Sequence, residues 1–401
     1  MNNTEDKVRT RTKVDTAREG GIFKVLIFLI LFVVISLTAY TAYLRSTNTG
    51  EIDIRESVSS MLSGLLTGQG DTYNAGTKLS SIDYVAKERP SFAVYNNMII
   101  KCNVNGISAM NRNGNEQWSV SAIINKPVAK TGGQNVIVAD IGGRQVFVVD
   151  DKGLKWEKSM EGDIINADIN REGYVTVVHK REGYKGVVKV FTPGGKEIFE
   201  RAIADSYVFY GNVMPSGETV IIQGIDASGI EAASHFEFTD LRGNPFAAII
   251  PSEKRVYPFV FAFENDSFVL LDDTTIVYFD KNRNKMWENE YQKIYGAGIM
   301  NGEYIIAAVK DRQTEGVCDV VVMNKSGTVT SRYPLDEEVY GIDTYDDIAA
   351  VNTGREVYFI NSRGNLFLTY SSISDITEVL FFNRNEAALV TNSNIEIIKI
   401  R

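Results

Sequence analysis

Residues 146–156 read VFVVDDKGLKW. An apolar run is followed by a polar turn that ends at Gly153, and a second run begins beside Trp156. Apolar runs separated by a short turn are typical of a β-hairpin. An Asx side chain that opens the turn can accept backbone N–H groups, and glycine adopts the left-handed conformation that closes it. The segment therefore predicts two antiparallel strands.

The same hairpin recurs along the chain, with turns spaced about 37 to 48 residues apart, the period of propeller blades. Its copies occupy residues 107–118, 146–156, 188–199, 236–246, 276–287, 320–331 and 357–367. In the fifth copy Arg283 replaces the glycine, and Asn282 is expected to supply the left-handed residue. The aromatic residue that opens most second strands is expected to be buried between neighbouring blades. Ser331 takes this place in the sixth copy and predicts looser packing.

Two further strands precede each hairpin, so each repeat has four strands. Seven full repeats run from about residue 91 to 372, and three more strands follow Thr377. Residues 81–87 alternate like a strand and can supply the missing one. We therefore predict an all-β, eight-bladed β-propeller, with seven blades as the alternative. Its ring should be closed by antiparallel pairing of residues 82–86 with 394–400, because closure removes two exposed sheet edges.

An uncharged run precedes the repeats. Residues 25–44 read VLIFLILFVVISLTAYTAYL, long enough as a helix to span a bilayer. The preceding residues are rich in Lys and Arg, which favours a cytoplasmic N-terminus. A cleaved signal peptide is the alternative, but no good cleavage site follows. The predicted order is a cytoplasmic tail (1–21), a transmembrane helix (22–44), an extracytoplasmic linker that a short amphipathic helix could interrupt (45–79) and the propeller (80–401).

The composition narrows the function. A net charge of −9 argues against a nucleic-acid partner, which usually requires a basic surface. Two cysteines exclude a disulfide scaffold, and two histidines in separate repeats leave little material for a metal centre or triad. Residues 168–173 have the spacing of a calcium loop, but His179 stands where the bidentate Glu belongs. No catalytic, cofactor or metal site is therefore predicted.

The hairpins resemble the repeat of pyrroloquinoline-quinone (PQQ)-type propellers, which reads D-x-x-T-G-x-x-x-W. The copies at 111–118, 150–156 and 280–287 come nearest. With its tail and membrane helix, the chain looks like an uncharacterised domain-of-unknown-function family of anchored propellers in Gram-positive bacteria. A more distant likeness, to the eight-bladed outer-membrane assembly lipoprotein, implies a protein-binding scaffold. Quinoprotein dehydrogenases use adjacent cysteines and a stacking tryptophan, but this chain has no adjacent cysteines and its three tryptophans occupy repeat positions.

Four tyrosines form the candidate binding site: Tyr210, Tyr257, Tyr295 and Tyr340. Each precedes a predicted innermost strand, and glycine follows three of them, which is typical of a close backbone approach. They are expected near the mouth of the central channel, either as a ligand or peptide platform or as packing between inner strands.

These observations predict a non-enzymatic, single-pass membrane protein whose propeller lies outside the cell and binds an envelope protein, peptide or ligand. The alternative is a hydrolase or lyase that acts on envelope glycans through carboxylates on the propeller face. A sensor that signals to the cytoplasmic tail is less favoured, because the tail is too short to fold as a domain. Carboxylates that converge in a pocket would favour the enzyme, and a channel mouth lined by aromatic and amide groups would favour binding.

Overall fold

The computed structural model describes residues 74–249 and 255–401, which form 33 β-strands and one short 3₁₀ helix. They belong to one compact unit, Thr72–Arg401. The predicted tail, membrane helix and linker up to residue 73 lie outside the described residues. Within the described ranges, no helix is long and apolar enough to cross a membrane.

The strands form eight sheets that follow one another along the chain, which confirms eight blades and excludes seven. The first four blades use consecutive strands. They are blade 1, β3 (Ser91–Tyr95), β4 (Met98–Asn103), β5 (Gly106–Met110) and β6 (Glu116–Ser121); blade 2, β7 (Pro127–Gly132), β8 (Asn135–Asp140), β9 (Gln145–Asp150) and β10 (Gly153–Ser159); blade 3, β11 (Ile164–Ile169), β12 (Val175–His179), β13 (Gly186–Phe191) and β14 (Glu197–Ile203); and blade 4, β15 (Tyr207–Val213), β16 (Thr219–Asp226), β17 (Ala233–Asp240) and β18 (Pro245–Ile249).

The last four blades continue the order, and two N-terminal strands join blades 7 and 8. They are blade 5, β19 (Phe259–Ala262), β20 (Phe268–Leu271), β21 (Thr275–Phe279) and β22 (Lys285–Glu290); blade 6, β23 (Lys293–Met300), β24 (Tyr304–Lys310), β25 (Cys318–Asn324) and β26 (Val329–Leu335); blade 7, β27 (Gly341–Tyr345), β28 (Ile348–Asn352), β29 (Glu356–Asn361), β30 (Leu366–Ser371) and β1 (Asn74–Ala75); and blade 8, β31 (Ile376–Asn383), β32 (Glu386–Thr391), β33 (Asn394–Lys399) and β2 (Thr77–Asp83). The 3₁₀ helix is Ala86–Glu88.

Neighbouring blades pack face to face and bury a separate apolar cluster at each junction. Between blades 2 and 3, for example, Ile137 and Val148 pack with Val175 and Val177. β-Branched residues dominate these faces because they fill the space between pleated sheets well. The first strands of consecutive blades lie beside one another, so these inner strands surround the propeller axis.

The hairpin turns have the predicted chemistry. Asn324 Oδ1 accepts the backbone N–H groups of Ser326 at 3.0 Å and Thr328 at 3.1 Å, and Gly327 has φ +79°. The corresponding Asx residue accepts the same two N–H groups at Asn111, Asp240, Asp280 and Asn361, and Asp150 accepts the first of them, from Lys152. One local arrangement therefore forms the outer hairpin of most blades.

Blade 5 corrects the expectation for Asn282. Arg283 itself adopts the left-handed conformation, with φ +70°. Its guanidinium carbon lies 4.8 Å from the centroid of the Phe246 ring of blade 4. A cation over an aromatic face is favourable, and this contact offsets the backbone strain that glycine avoids in the other turns.

The outer-strand aromatics contact the next blade through its turn. Trp287 Nε1 donates to the Lys325 carbonyl oxygen at 2.8 Å, and the indole lies against Gly327, where a Cβ atom would be 2.7 Å from the ring. Trp118 and Trp156 donate to the equivalent carbonyls of Asp151 and Pro193. The three rings were expected to be largely buried between blades. They are half-buried, because the outer strand lies at the rim of the propeller.

The N-terminal strand closes the ring. β2 pairs antiparallel with β33, and Ile82 lies opposite Ile395. The pairing covers residues 77–83, earlier in the chain than the predicted 82–86, because the chain turns into the 3₁₀ helix after Val85. β1 pairs parallel with β30 of blade 7, and the next strand, β2, pairs with blade 8. The propeller therefore begins before residue 80, and its first residues connect blades 7 and 8.

Candidate functional site

The structure places the four tyrosines in different environments. Tyr340 is 70% exposed, whereas Tyr257 is 2% exposed within the apolar cluster between blades 4 and 5. Tyr210 and Tyr295 are half-buried in the inner strands β15 and β23. Only Tyr340 therefore presents a largely open ring at the surface.

A β-bulge separates Tyr210 from its supposed equivalents. The register of β15 shifts at Phe209, and that of β23 shifts at Tyr295. Phe209 is therefore the equivalent of Tyr295, and Tyr210 takes the position of Gly296. A bulge adds one residue and turns the following side chains, so the Tyr–Gly pattern in the sequence does not mark equivalent places.

Tyr210 belongs to a polar network that crosses the inner strands of blades 2 to 4. Lys130 Nζ lies 3.2 Å from Asp168 Oδ2, and Asn212 Nδ2 donates to Tyr210 Oη at 3.2 Å. Burial, followed by the negative charge of Asp168, raises the pKa of Tyr210. Asp168 is therefore the counter-ion of Lys130. This ion pair accounts for the carboxylate at the first position of the sequence that resembles a calcium loop.

A second polar pair lies on the inner strands of blades 7 and 8. Asp343 in β27 accepts the backbone N–H of Val379 at 3.4 Å, and Glu378 lies on the adjacent β31. Burial raises the pKa of Asp343 to about 6. Burial, followed by the negative charge of Asp343, raises the pKa of Glu378 to about 7. No cation contributes to either pKa shift.

This pair predicts an unusual dependence of stability on pH. The folded state holds the Glu378 proton more tightly than the usual carboxyl with pKa 4.5. Its stabilising contribution is therefore complete at acid pH and is lost as the pH rises through 7. Glu378→Gln should raise the free energy of unfolding at about pH 8 by about 2 kcal/mol, after allowance for partial solvation.

The measurement is urea unfolding of the full chain, monitored by tryptophan fluorescence, at a series of pH values from about 5 to about 8. The difference between Glu378→Gln and the unsubstituted chain should shrink as the pH falls toward about 5. Glu182→Gln, at an exposed loop residue, is the matched control and should change little. A Glu378→Gln variant that is less stable at high pH would contradict the assignment.

The most exposed apolar side chains lie on one face of the propeller. We define the loop face as the end formed by the connections between blades and by the loops between the second and third strands of each blade. The four most exposed large apolar residues of the described chain, Ile230, Ile123, Ile373 and Tyr340, are between 70% and 101% exposed and all lie there. The loop face is therefore the candidate interaction surface of the described residues.

The described residues offer little for metal or nucleophilic chemistry. Within 74–249 and 255–401, no group of three or more His, Cys, Asp or Glu residues gathers to hold a metal ion. Cys102 and Cys318 are buried free thiols. Burial raises the pKa of the Cys318 thiol to about 11, which makes it a poor nucleophile at neutral pH.

Seven four-stranded blades and one five-stranded blade, arranged in a ring, define an all-β propeller. Its candidate sites are the polar side chains of the inner strands and the loop face. The chain belongs to DUF5711, a family of unknown function whose profile matches residues 69–400. Among curated protein sequences, none matches the chain significantly.

Solved structures share the fold at low sequence identity. BamB from Moraxella catarrhalis is 14% identical with a TM-score of 0.54, and the match covers 81% of this chain and all of BamB. Sqt1 from Saccharomyces cerevisiae is 10% identical with a TM-score of 0.61, over 82% of this chain and all of Sqt1. The C-terminal WD40 domain of Sif2 is 11% identical with a TM-score of 0.60, over 82% and 99% of the two chains. At these identities the likeness concerns the fold alone.

Proposed function

We propose that the chain is a single-pass membrane protein whose extracytoplasmic propeller binds an envelope protein or peptide through its loop face. The observation that carries this proposal is the location of the four most exposed apolar side chains on that face. The closed ring supports it, because a rigid scaffold holds its loops in fixed positions and reduces the entropic cost of binding. The resemblance to the eight-bladed assembly lipoprotein implies the same scaffold role, whereas the resemblance to PQQ-type repeats concerns the fold.

The membrane topology rests on the sequence of residues 1–44 and is tested first. Protease added to intact protoplasts should degrade the propeller and leave the N-terminal tail attached to the membrane. A propeller that is protected until the membrane is broken would place it inside the cell. A propeller released into the medium with a new N-terminus near Tyr43 would show that the helix is a cleaved signal.

The binding role is tested by charge substitution on the loop face. Ile123→Asp and Ile373→Asp should reduce the recovery of cross-linked partners from intact membranes by about tenfold, because a carboxylate opposes apolar contact. Both side chains are 82% exposed, so folding should be unaffected. Met286→Asp is the matched control, because Met286 is 58% exposed on an outer strand away from this face. Equal recovery from all three variants and the parent chain would overturn the proposal.

The second candidate function is cleavage of an envelope glycan by a hydrolase or lyase mechanism. The observation that favours it is the proximity of two carboxyl groups, Asp343 and Glu378, on adjacent inner strands. A carboxyl group with pKa near 7 can act as a general acid, beside a second carboxylate. Release of new reducing ends from purified cell-wall glycan by the full chain, and its loss in Glu378→Gln, would support this function. A rate no greater in the parent chain than in the variant would exclude Glu378 as the acid.

A further inference from the structure

The connection between blades 6 and 7 is the most acidic part of the loop face. Asp336, Glu337 and Glu338 follow one another and are all exposed. Glu338 pairs with Lys293 at 3.6 Å. Within the described residues, Asp336 and Glu337 form no ion pair. The loop thus presents negative charge that the propeller itself does not neutralise.

Two open apolar residues flank this acidic loop. Tyr340 ends the connection, and its ring lies over Gly354, where a Cβ atom would be 3.2 Å from Tyr340 Cε2. Gly354 has φ +99°, and the absence of its side chain leaves the ring room to lie across the neighbouring loop. Ile373 lies in the next connection, between blades 7 and 8, and is 82% exposed. We call Asp336, Glu337, Tyr340 and Ile373 the acidic loop surface.

The carboxylate pair lies on the inner strands β27 and β31, which follow the two connections of the acidic loop surface. Asp343 follows Tyr340 by three residues along β27, roughly 10 Å deeper at the rise of a strand. Glu378 lies on the neighbouring strand β31, and its pKa is raised by burial and by the charge of Asp343, with no contribution from a cation. On the other side of the ring, Asp168 has Lys130 as its counter-ion. Asp343 and Glu378 have no cation of their own within the described chain.

Charge complementarity selects the occupant. The chain carries a net charge of −9, so a second copy or an anionic lipid surface would be repelled. An acidic or neutral partner that covered the surface would desolvate Asp336, Glu337 and the inner pair without compensation. A basic segment with apolar side chains compensates both features, because it supplies cations for the carboxylates and contacts for Tyr340 and Ile373.

Building on the proposed loop-face binding, we propose that the partner presents a basic, partly apolar segment to the acidic loop surface. Its apolar side chains pack on Tyr340 and Ile373. The segment enters between the loops far enough for one of its lysine or arginine side chains to pair with Asp343 and Glu378. The inner pair then acts as a specificity element, because a cationic side chain favours the ionised form of both carboxyl groups and compensates their charge, whereas a neutral or acidic side chain does not.

The experiment uses the full chain in phosphatidylcholine nanodiscs and fluorescent synthetic peptides. The first peptide alternates leucine, serine and lysine. In the second, glutamate replaces each lysine, and in the third, serine replaces each leucine. Fluorescence anisotropy, corrected with empty nanodiscs, should show binding of the lysine–leucine peptide and at least tenfold weaker binding of the other two. Glu378→Gln should weaken the first peptide by about tenfold, and Glu182→Gln, also on the loop face, by less than about twofold.

The outcomes separate this inference from the proposed function. If the double variant Tyr340→Ala, Ile373→Ala loses peptide binding while Glu378→Gln retains it, the result overturns the pairing of a cationic side chain with Asp343 and Glu378. The loop face then remains a binding surface. Equal binding of the glutamate peptide would overturn the choice of a basic segment. No binding of the lysine–leucine peptide would overturn the inference as a whole, whereas the cross-linking with Ile123→Asp decides the proposed function separately.

Discussion

A chain that begins at Arg89 lacks β1 and β2. Its free energy of unfolding is expected to be at least about 5 kcal/mol lower than that of a chain that begins at Thr72. A loss of this size equals the whole stability of a marginally stable domain. The missing strand supplies six paired positions along β33, at about 1 kcal/mol net for each hydrogen bond. It also supplies Ile82, which is 8% exposed against blade 1. The shortened chain should unfold or associate through the open edge of β33.

The closing strand also neutralises a buried charge. Glu396 is 6% exposed, and its carboxylate contacts Lys78 Nζ at 2.6 Å and accepts from Tyr370 Oη at 3.0 Å. Without Lys78 the buried carboxylate loses its only ion-pair partner within the described chain, and such a loss costs several kcal/mol. Closure therefore contributes electrostatic as well as apolar stabilisation.

Point variants keep this prediction testable if the shortened chain cannot be purified. Ile82→Ala should lower the free energy of unfolding by about 2–4 kcal/mol. Leu79→Ala is the matched control on the same strand, because Leu79 lies at the register shift of β2 and is 49% exposed. The measurements are urea unfolding and light scattering. If the chain that begins at Arg89 is monomeric and has the same melting temperature as the chain that begins at Thr72, closure is dispensable for stability.

The sequence was sufficient for the blade count because the signals of the outer hairpin are local. An Asx residue, a glycine three positions later and an apolar run on each side determine the hairpin wherever they occur. The order and direction of β2 beside β33 also followed, since an open propeller would leave an apolar edge. β1 could not be predicted, because two residues that pair with β30 carry no pattern of their own.

The inner-strand site was missed for a physical reason. Asp343 and Glu378 each stand between one apolar residue and a threonine, a local sequence that also suits a solvent-facing strand position. Their burial and proximity depend on the arrangement of adjacent blades around the axis, which no local pattern contains. A charged residue in the middle of the first strand of a repeat was the available signal. For Tyr210 the obstacle was the bulge at Phe209, which alters the register without changing the sequence pattern.

The second large effect is expected at Trp287. Its ring stacks on Tyr278 at a centroid distance of 5.5 Å, packs against the cluster between blades 5 and 6, and donates to the Lys325 carbonyl. Trp287→Ala should lower the free energy of unfolding by about 2–4 kcal/mol, toward the low side for a large aromatic because the ring is half-buried. Ser331→Ala is the matched control at the equivalent position of blade 6, and should cost less than about 1 kcal/mol.

A second substitution tests whether the contact between blades, and not the size of the side chain alone, carries this effect. Gly327→Ala would place a Cβ atom 2.7 Å from the Trp287 ring, whereas Gly142→Ala would meet nothing within 4 Å. The two glycines have φ +79° and +83°, so the backbone strain is nearly the same. We therefore expect Gly327→Ala to cost about 1–3 kcal/mol more than Gly142→Ala, and expect most of that difference to disappear when Trp287 is also Ala. Equal melting temperatures for the two glycine variants would show that the indole does not hold the blades together through this turn.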